Sequence, residues 1–208
     1  CICIGMTLHG GVIAACGTFF VFSDYMKPAV RMAALMELPV KFIWTHDAFR
    51  VGEDGPTHEP VEQEAQIRLM EKLKNHSGKN SMLVLRPADS LETTECWRMA
   101  MENTDSPTGL IFSRQNIEQL PEGTDYAQAE KGAYIVAGSE ENPDVILVAS
   151  GSEVSTLAAG AKLLREDGIK VRIVSCPSEG LFRSQPAEYQ NAVLPCGAKI
   201  FGLTAGLP

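Results

Sequence analysis

The sequence predicts an α/β protein in which a parallel-sheet domain is followed by a second, truncated α/β domain. Short apolar segments alternate with segments of helical periodicity along most of the chain, the pattern of a parallel sheet covered by helices. A polar and acidic stretch over residues 116–130 interrupts this alternation and contains Pro121-Glu122-Gly123, the best linker candidate. The predicted organisation is a first domain at 1–116, a linker at 117–130 and a second domain at 131–208.

The first half contains the elements of a parallel sheet. Residues 1–8 resemble the end of a buried helix, which Gly10 and Gly11 stop, and a short strand follows over 12–16. Thr18 is the expected N-cap of a helix over 19–37, and Pro28 should kink or divide that helix. Apolar runs predict further strands at 39–45, 81–85 and 109–112, and amphipathic stretches predict helices at 61–73 and 90–102.

The second half restarts the alternation after the linker. Strands are predicted at 134–137, 145–149, 170–175 and 199–201, and helices at 153–167 and 186–194. The helices are too few to close a complete doubly wound domain, so we expect this domain to be truncated. The chain also starts inside the apolar segment 1–5 without an initiator methionine, which indicates an internal fragment of a longer protein.

Net charge, the length of apolar runs and cysteine spacing limit the kinds of partner that we expect for this protein. A net charge of −8 provides no basic face, so we expect no nucleic-acid partner, although a local cationic pocket could still receive a small anion. No apolar run approaches the length of roughly 20 residues that a membrane span needs, and we expect no membrane partner. The six scattered cysteines match no zinc pattern and indicate reduced thiols, which predicts a cytoplasmic protein.

Residues 45–60 form the segment richest in side chains that could bind a ligand or transfer a proton. They follow a predicted buried strand and therefore lie at the carboxyl end of a strand, where open α/β sheets bind ligands. The preferred interpretation of His46, Asp54 and His58 is a polar cluster that binds substrate hydroxyls and moves protons near neutral pH. The alternative is a metal-dependent hydrolase in which the same three residues are the ligands and a water takes the open position.

Aromatic and cationic residues follow two other predicted strands. Phe19, Phe22 and Tyr25 recur every third residue on one face of the predicted helix. They either pack in the core or stack on a flat heterocycle. Arg114 leaves the strand at 109–112 at its carboxyl end, where it either binds a phosphate or carboxylate in bidentate fashion or forms a surface ion pair.

Several motifs resemble those of the transketolases. They are Thr45-His46-Asp47 with the segment 52–60, Arg86-Pro87-Ala88-Asp89, Ser113-Arg114-Gln115-Asn116 and the segment 149–154. They occur in the expected order, and the resemblance covers essentially the whole chain. It implies a pyrimidine-binding domain of the thiamine diphosphate-enzyme type, followed by the start of the C-terminal transketolase-like domain.

The resemblance also implies roles for individual residues. The residues that match the pocket for the aminopyrimidine of thiamine diphosphate are Phe19, Phe22 and Tyr25. Those that match sugar-binding residues are His46, Asp54 and His58, with His46 and His58 also assisting proton transfer. Arg114 matches the residue that binds the phosphate of a sugar phosphate. The segment Ala48-Phe49-Arg50-Val51 departs from the usual family sequence and is expected to place a bulky ring and a cation beside the site, where they would affect acceptor preference.

The implied activity is transfer of a two-carbon ketol unit between sugar phosphates in the pentose phosphate pathway. The family site forms between two subunits, so a homodimer is implied. The glutamate that promotes cofactor activation should lie shortly before Cys1. The diphosphate-binding domain, with its Mg or Ca site, belongs to the same or a partner chain, and no metal ligand is assigned here. We therefore expect the isolated chain to be inactive. The alternative is a non-catalytic C-terminal subunit of a split transketolase-like enzyme.

Overall fold

The computed structural model describes residues 1–47, 51–138 and 142–206, which form two compact units. The first consists mainly of Cys1–Leu85 and Trp97–Asn116, and the second of Arg86–Cys96 and Ile117–Thr204. No helix within the described ranges is long and apolar enough to cross a membrane. The sequence question about Phe49 and Arg50 falls outside the described residues.

The first unit is built on a four-stranded parallel sheet. Its strands are β1 (Ala15–Phe19), β2 (Lys41–Thr45), β3 (Leu83–Leu85) and β4 (Thr108–Ile111), in the spatial order β1-β2-β4-β3. The helices are α1 (Ile2–His9), α2 (Ser23–Leu35), α3 (Gln63–Lys72) and α4 (Ser90–Glu102), the last of which begins in the second unit. All strand pairs are parallel, so the carboxyl ends of β1, β2 and β4 lie at one edge.

The core of this unit forms where α2 and α3 pack on the sheet. Trp44 and Phe42 of β2 are buried and stack with ring centroids 5.9 Å apart, and Phe20 packs 5.7 Å from Trp44. Ile67 of α3 and Val30 of α2 belong to the same apolar cluster. Burial of each such side chain contributes about 1.5–3 kcal/mol, so this cluster fixes the strand ends that follow it.

The second unit contains a mixed sheet of four strands. These are β5 (Tyr134–Ala137), β6 (Val145–Ala149), β7 (Val171–Ser175) and β8 (Ile200–Leu203), in the order β5-β7-β6-β8. The strand β5 pairs antiparallel with β7, whereas the other pairs are parallel. The helices are α5 (Glu153–Glu166), α6 (Glu179–Arg183) and α7 (Ala187–Val193).

The structure corrects the predicted helix over 19–37. Thr18 lies inside β1, because strand pairing with Trp44 of β2 overrides its local preference for a helix N-terminus. A short 3₁₀ turn, Phe20–Phe22, then leads into α2. Pro28 lies within α2 without dividing it. The one helical hydrogen bond that proline removes is outweighed by the buried face of the helix, which includes Val30.

Other differences lie in the second unit. The predicted alternation did not anticipate α6 or a 3₁₀ helix at Tyr126–Lys131, which falls partly within the predicted linker. The antiparallel direction of β5 was also unforeseen. The apolar residues of a short strand indicate where it begins and ends, whereas its direction in the sheet depends on the strand with which it pairs.

Candidate active site

The candidate site lies at the carboxyl ends of β1 and β2. Phe19, the last residue of β1, pairs in register with Thr45, the last residue of β2. The chain therefore brings the residues after each strand to the same place, as the rule for ligand sites in open α/β sheets requires. The loop that begins at His46 and the turn that begins at Phe20 leave this edge together.

Three aromatic rings form a continuous row beside this edge, which we call the aromatic row (Phe19, Phe22 and Tyr25). The ring centroids of Phe19 and Phe22 are 6.2 Å apart and nearly parallel. Those of Phe22 and Tyr25 are 6.1 Å apart with an angle of 38° between the rings. Tyr25 is 84% exposed, whereas tyrosine residues are usually at least partly buried.

The sequence thus predicted the neighbourhood of the three rings but not their secondary structure. Phe19 ends a strand, Phe22 ends the 3₁₀ turn and Tyr25 lies in the first turn of α2. They are adjacent because the chain turns tightly between β1 and α2, not because they share one helix. Their suggested role in cofactor binding stays a prediction.

Both histidines of the 45–60 segment pack on the aromatic row. The His46 ring stacks on Phe19 with a centroid distance of 3.7 Å. His58 meets the rings of Phe19 and Phe22 edge-on, at 6.0 and 5.3 Å. The two imidazoles, 12 positions apart in the printed sequence, are therefore held beside the same rings.

Local hydrogen bonds orient each imidazole. Thr45 Oγ1 lies 2.9 Å from Nδ1 of His46, and Thr57 Oγ1 lies 2.9 Å from Nδ1 of His58. In both cases a threonine hydroxyl engages the nitrogen nearer the backbone, so Nε2 is the candidate nitrogen for proton exchange with a ligand. The two histidines therefore share one mode of support.

The backbone of His46 adopts a left-handed conformation with φ of 63°. This region is uncommon for residues other than glycine, and such conformations cost about 1–3 kcal/mol and concentrate at functional sites. The unusual φ turns the chain sharply at the end of β2. It lets the His46 side chain lie on Phe19 while the next residue, Asp47, points into the protein and is only 4% exposed.

Charges around His46 set its protonation. Burial is the largest influence and lowers its pKa below the usual value, and the positive charge of Arg114 lowers the pKa further. The negative charges of Asp54 and Asp47 oppose this shift, while His58 adds to it. His46 is consequently neutral at physiological pH and able to accept a proton. The charges that act on His46 include those of Asp54, His58 and Arg114, the other polar residues of the predicted site.

Arg114 follows β4 and is exposed to solvent. Its guanidinium carbon lies 3.4 Å from the place where a Cβ on Gly52 would lie, and Gly52 has a positive φ of 89°. A glycine there allows both the left-handed turn and the close approach of the guanidinium. The cation is thus held against the same loop that carries His46 and Asp54.

Sequence reasoning missed a link between the two loops. Ser113 Oγ donates a hydrogen bond to Oδ2 of Asp47 at 3.0 Å. The available signal was position alone, since Asp47 directly follows His46 and Ser113 directly precedes Arg114. The signal that could have identified Asp47 and Ser113 is that each is a polar residue next to a predicted site residue at the end of a strand.

Two other histidines lie elsewhere. His9 ends α1, where its Nδ1 lies 3.3 Å from the Gly10 carbonyl oxygen, and His76 lies in an exposed turn. Within residues 1–47, 51–138 and 142–206, no group of three or more histidine, cysteine, aspartate or glutamate side chains could hold a metal ion. The described residues therefore give the metal-hydrolase alternative no ligand set.

The fold and the arrangement of these side chains define an α/β protein with a candidate ligand site at the carboxyl ends of parallel strands. Comparison with known families makes the class specific. The model of the transketolase pyrimidine-binding domain matches residues 1–119, and that of the transketolase-like C-terminal domain matches residues 132–208. The chain belongs to the transketolase family.

Individual relatives agree with this assignment. The chain is 48% identical over 198 residues to the transketolase of Bacillus subtilis, covering 94% of this chain and 28% of that protein. Transketolase from Leishmania mexicana superposes with a TM-score of 0.89 at 39% identity, covering 99% of this chain and 29% of that one. A Pichia stipitis transketolase complex with sedoheptulose-7-phosphate gives a TM-score of 0.81 at 40% identity, covering 91% and 26%. The chain spans little more than a quarter of the length of these proteins.

Proposed function

We propose that this chain is part of a transketolase that transfers a two-carbon ketol unit between sugar phosphates with thiamine diphosphate. The observation that carries the proposal is the packing of His46 and His58 on the aromatic row. The flat ring of the cofactor and the polar groups of a sugar phosphate need different binding partners. This edge of the sheet presents aromatic rings, imidazoles and a guanidinium side by side. Membership of the family supports the same conclusion.

The aromatic row suits the aminopyrimidine ring of thiamine diphosphate. Phe22 and Tyr25 present tilted neighbouring rings, and the exposed Tyr25 offers a face on which a further flat ring can stack. When bound, this cofactor supplies carbanion chemistry that breaks and forms carbon–carbon bonds beside a carbonyl group. In the proposed complex Phe19, Phe22 and Tyr25 hold the pyrimidine and keep water from its face.

His46 and His58 are the proposed proton carriers. The lowered pKa of His46 keeps the imidazole neutral, so Nε2 can accept a proton from a sugar hydroxyl and return it. The stacking on Phe19 and the contact with Thr45 fix the direction of that nitrogen. Asp54, which is exposed in the same loop, is the proposed acceptor for a second sugar hydroxyl.

Arg114 is the proposed phosphate ligand. Its guanidinium is exposed, packs on Gly52 and is close enough to influence His46 electrostatically. A guanidinium donates two parallel hydrogen bonds to a phosphate, which fixes the distance between the phosphate and the reacting end of a sugar. The related Pichia stipitis protein is described in complex with sedoheptulose-7-phosphate, which is a sugar of this kind.

The proposed enzyme also needs parts other than the two domains that the family models match here. A diphosphate-binding domain, of the same or a partner chain, would hold the diphosphate with a Mg or Ca ion. The proposed assembly is a homodimer that works in the cytoplasm in the pentose phosphate pathway. The family models match these residues to the pyrimidine-binding and C-terminal domains, so we expect the isolated 208 residues to show no turnover.

Tyr25 offers a direct test of cofactor binding in the full-length protein. Its exposed ring can be removed without disturbing the core, so Tyr25→Leu should fold and should weaken thiamine diphosphate binding about 3- to 10-fold. Tyr25→Phe keeps the ring and should bind as the wild type does. Isothermal titration with thiamine diphosphate and Mg²⁺ measures both constants. Equal affinity in wild type, Tyr25→Leu and a Phe22→Leu variant would remove the basis for the proposed pocket.

A further inference from the structure

Two loops of the first unit are joined at the candidate site. In the parallel pair of β2 and β4, Trp44 lies opposite Ile111, and the Phe112 N–H donates to the Trp44 carbonyl oxygen at 2.7 Å. Two residues beyond this register, the chains reach His46 and Ser113. The ends of the two strands therefore deliver a histidine and a serine to neighbouring positions.

The joining contact comes one residue after the histidine. Ser113 Oγ donates to Asp47 Oδ2 at 3.0 Å, and the Asp47 carboxylate is almost completely buried. A buried carboxylate gains more from a hydrogen-bond donor than an exposed one, because water does not compete for it. The contact is therefore a strong link between the residue after His46 and the residue before Arg114.

The same link lies directly beside the residue that carries the guanidinium. Arg114 follows Ser113 directly, and its side chain rests on Gly52 of the loop that Asp47 begins. Loss of this hydrogen bond removes one of the contacts between the loop after β4 and the loop after β2, beside the Phe112–Trp44 bond and the packing of Arg114 on Gly52. The guanidinium then keeps its charge but is less firmly positioned relative to His46.

We propose that Asp47 and Ser113 are positioning residues that hold Arg114 at a fixed place beside His46, so that a phosphorylated sugar is preferred over its unphosphorylated counterpart. This inference rests on the proposed function, in which Arg114 binds the phosphate. Bidentate recognition depends on orientation, and small displacements of a positioning group reduce rates strongly. A sugar without a phosphate forms no such hydrogen bonds with Arg114. The position of Arg114 reaches it only through the protonation of His46, which acts on both sugars alike and cancels in the ratio of their rates.

The test compares two acceptors in the full-length protein with hydroxypyruvate as the constant donor. The quantity measured is the ratio of kcat/KM for ribose 5-phosphate to kcat/KM for ribose. Ser113→Ala and Asp47→Asn should lower this ratio about 10-fold, the effect expected for one hydrogen bond to a charged group. Ser113→Thr keeps the hydroxyl and should keep the ratio. Isothermal titration with ribose 5-phosphate should show the same order of affinities without turnover.

Arg114→Leu separates the inference from the proposed function. If Arg114→Leu lowers the ratio and Ser113→Ala does not, the positioning role is wrong while the phosphate role stands. If Arg114→Leu leaves the ratio unchanged, Arg114 does not bind the phosphate and both fail. A fall for both acceptors together in Ser113→Ala indicates general damage to the loop and also overturns the inference. Should Asp47→Asn not fold, the Ser113→Ala and Ser113→Thr pair still decides the result.

Discussion

Two turns of this protein each follow the carboxyl end of a parallel strand, but charged side chains are buried at one of them and exposed at the other. The turn after β6 in the second unit and the loop after β2 in the first both follow the carboxyl end of a parallel strand. In the second unit, Arg86 and Glu153 form a buried ion pair with an N–O distance of 2.6 Å. In the first unit, Arg114 and Asp54 are exposed.

The difference shows that the carboxyl end of a strand in a parallel sheet is not by itself sufficient to form a ligand site. Arg86 is fully buried and also donates to the Ser150 carbonyl oxygen, so its charge is used within the fold. Gly151 has a positive φ of 61°, and a Cβ there would lie 2.6 Å from Nε of Arg86, so the turn is shaped around the guanidinium. Function follows from which side chains are left available, not from topology.

Breaking the buried pair gives the largest expected effect. Arg86→Met leaves the Glu153 carboxylate buried without its cation, which should lower the free energy of unfolding by about 3–5 kcal/mol. Urea denaturation measures the change. The matched control is Arg183→Met, which removes the cation of the exposed pair Arg183–Glu179 within α6. Exposed pairs contribute about 0–1 kcal/mol, so the control should change little.

The outcome decides whether the contrast between the two turns is energetic. A loss for Arg86→Met no larger than that for Arg183→Met would mean that the buried pair contributes no more than a surface pair. The comparison with the exposed charges of the first unit would then reduce to a difference in solvent exposure.

A buried carboxylate offers a second test in the second unit. Glu92 accepts hydrogen bonds from Tyr134 and Ser175, each at 2.8 Å, yet burial raises its pKa from 4.5 to about 7. A carboxyl group whose pKa is raised by folding favours the folded state in its protonated form. Its contribution is complete below pH 4.5 and is lost as the pH rises to about 7, an effect on the order of 3 kcal/mol.

Glu92→Gln should therefore flatten the fall in the free energy of unfolding between pH 4.5 and 7.5, as measured by urea denaturation at several pH values. The amide keeps the shape of the side chain but does not titrate. Glu166→Gln, on the exposed end of α5, serves as the control and should leave the pH profile unchanged. If the wild type and Glu92→Gln lose stability in parallel, the buried carboxylate does not govern this pH range.

The sequence predicted the parts of this structure that depend on local patterns. The strands at 134–137 and 145–149 and the helix at 90–102 coincide with β5, β6 and α4, because each is a clear apolar run or amphipathic stretch between turn residues. Thr18 shows the limit, since its place in β1 depends on pairing with Trp44 on another strand.

The candidate site divides in the same way. The spacing of Phe19 and Phe22 predicted neighbouring rings on one helix; the rings are neighbours, but a tight turn after β1 brings them together. The hydrogen bond between Asp47 and Ser113 joins residues 66 positions apart, and only the strand order β1-β2-β4-β3 brings them together. The left-handed conformation of His46 likewise has no signal in the sequence, because its residue type does not require it.

The smallest expected effect is a shift of the pH–rate profile, which tests the role of the exposed charges in the first unit. In the second unit the charge of Arg86 acts within the fold, whereas the charge of Arg114 should act on the protonation of His46. Burial and Arg114 lower the pKa of His46, so removing the cation with Arg114→Gln should raise that pKa. Because the proposed base is the neutral imidazole, the acid limb of the pH–rate profile should move to higher pH.

Asp54 provides the opposite displacement, because its negative charge raises the pKa of His46. Asp54→Asn should therefore move the acid limb to lower pH, while Arg114→Lys, which keeps the charge, should leave it in place. The profile is measured in the full-length protein with hydroxypyruvate and glycolaldehyde, neither of which carries a phosphate, so loss of phosphate binding does not enter. Both shifts should shrink in high salt, since Arg114 and Asp54 are exposed to screening ions. Shifts of the same sign in Arg114→Gln and Asp54→Asn would show that the acid limb does not report His46.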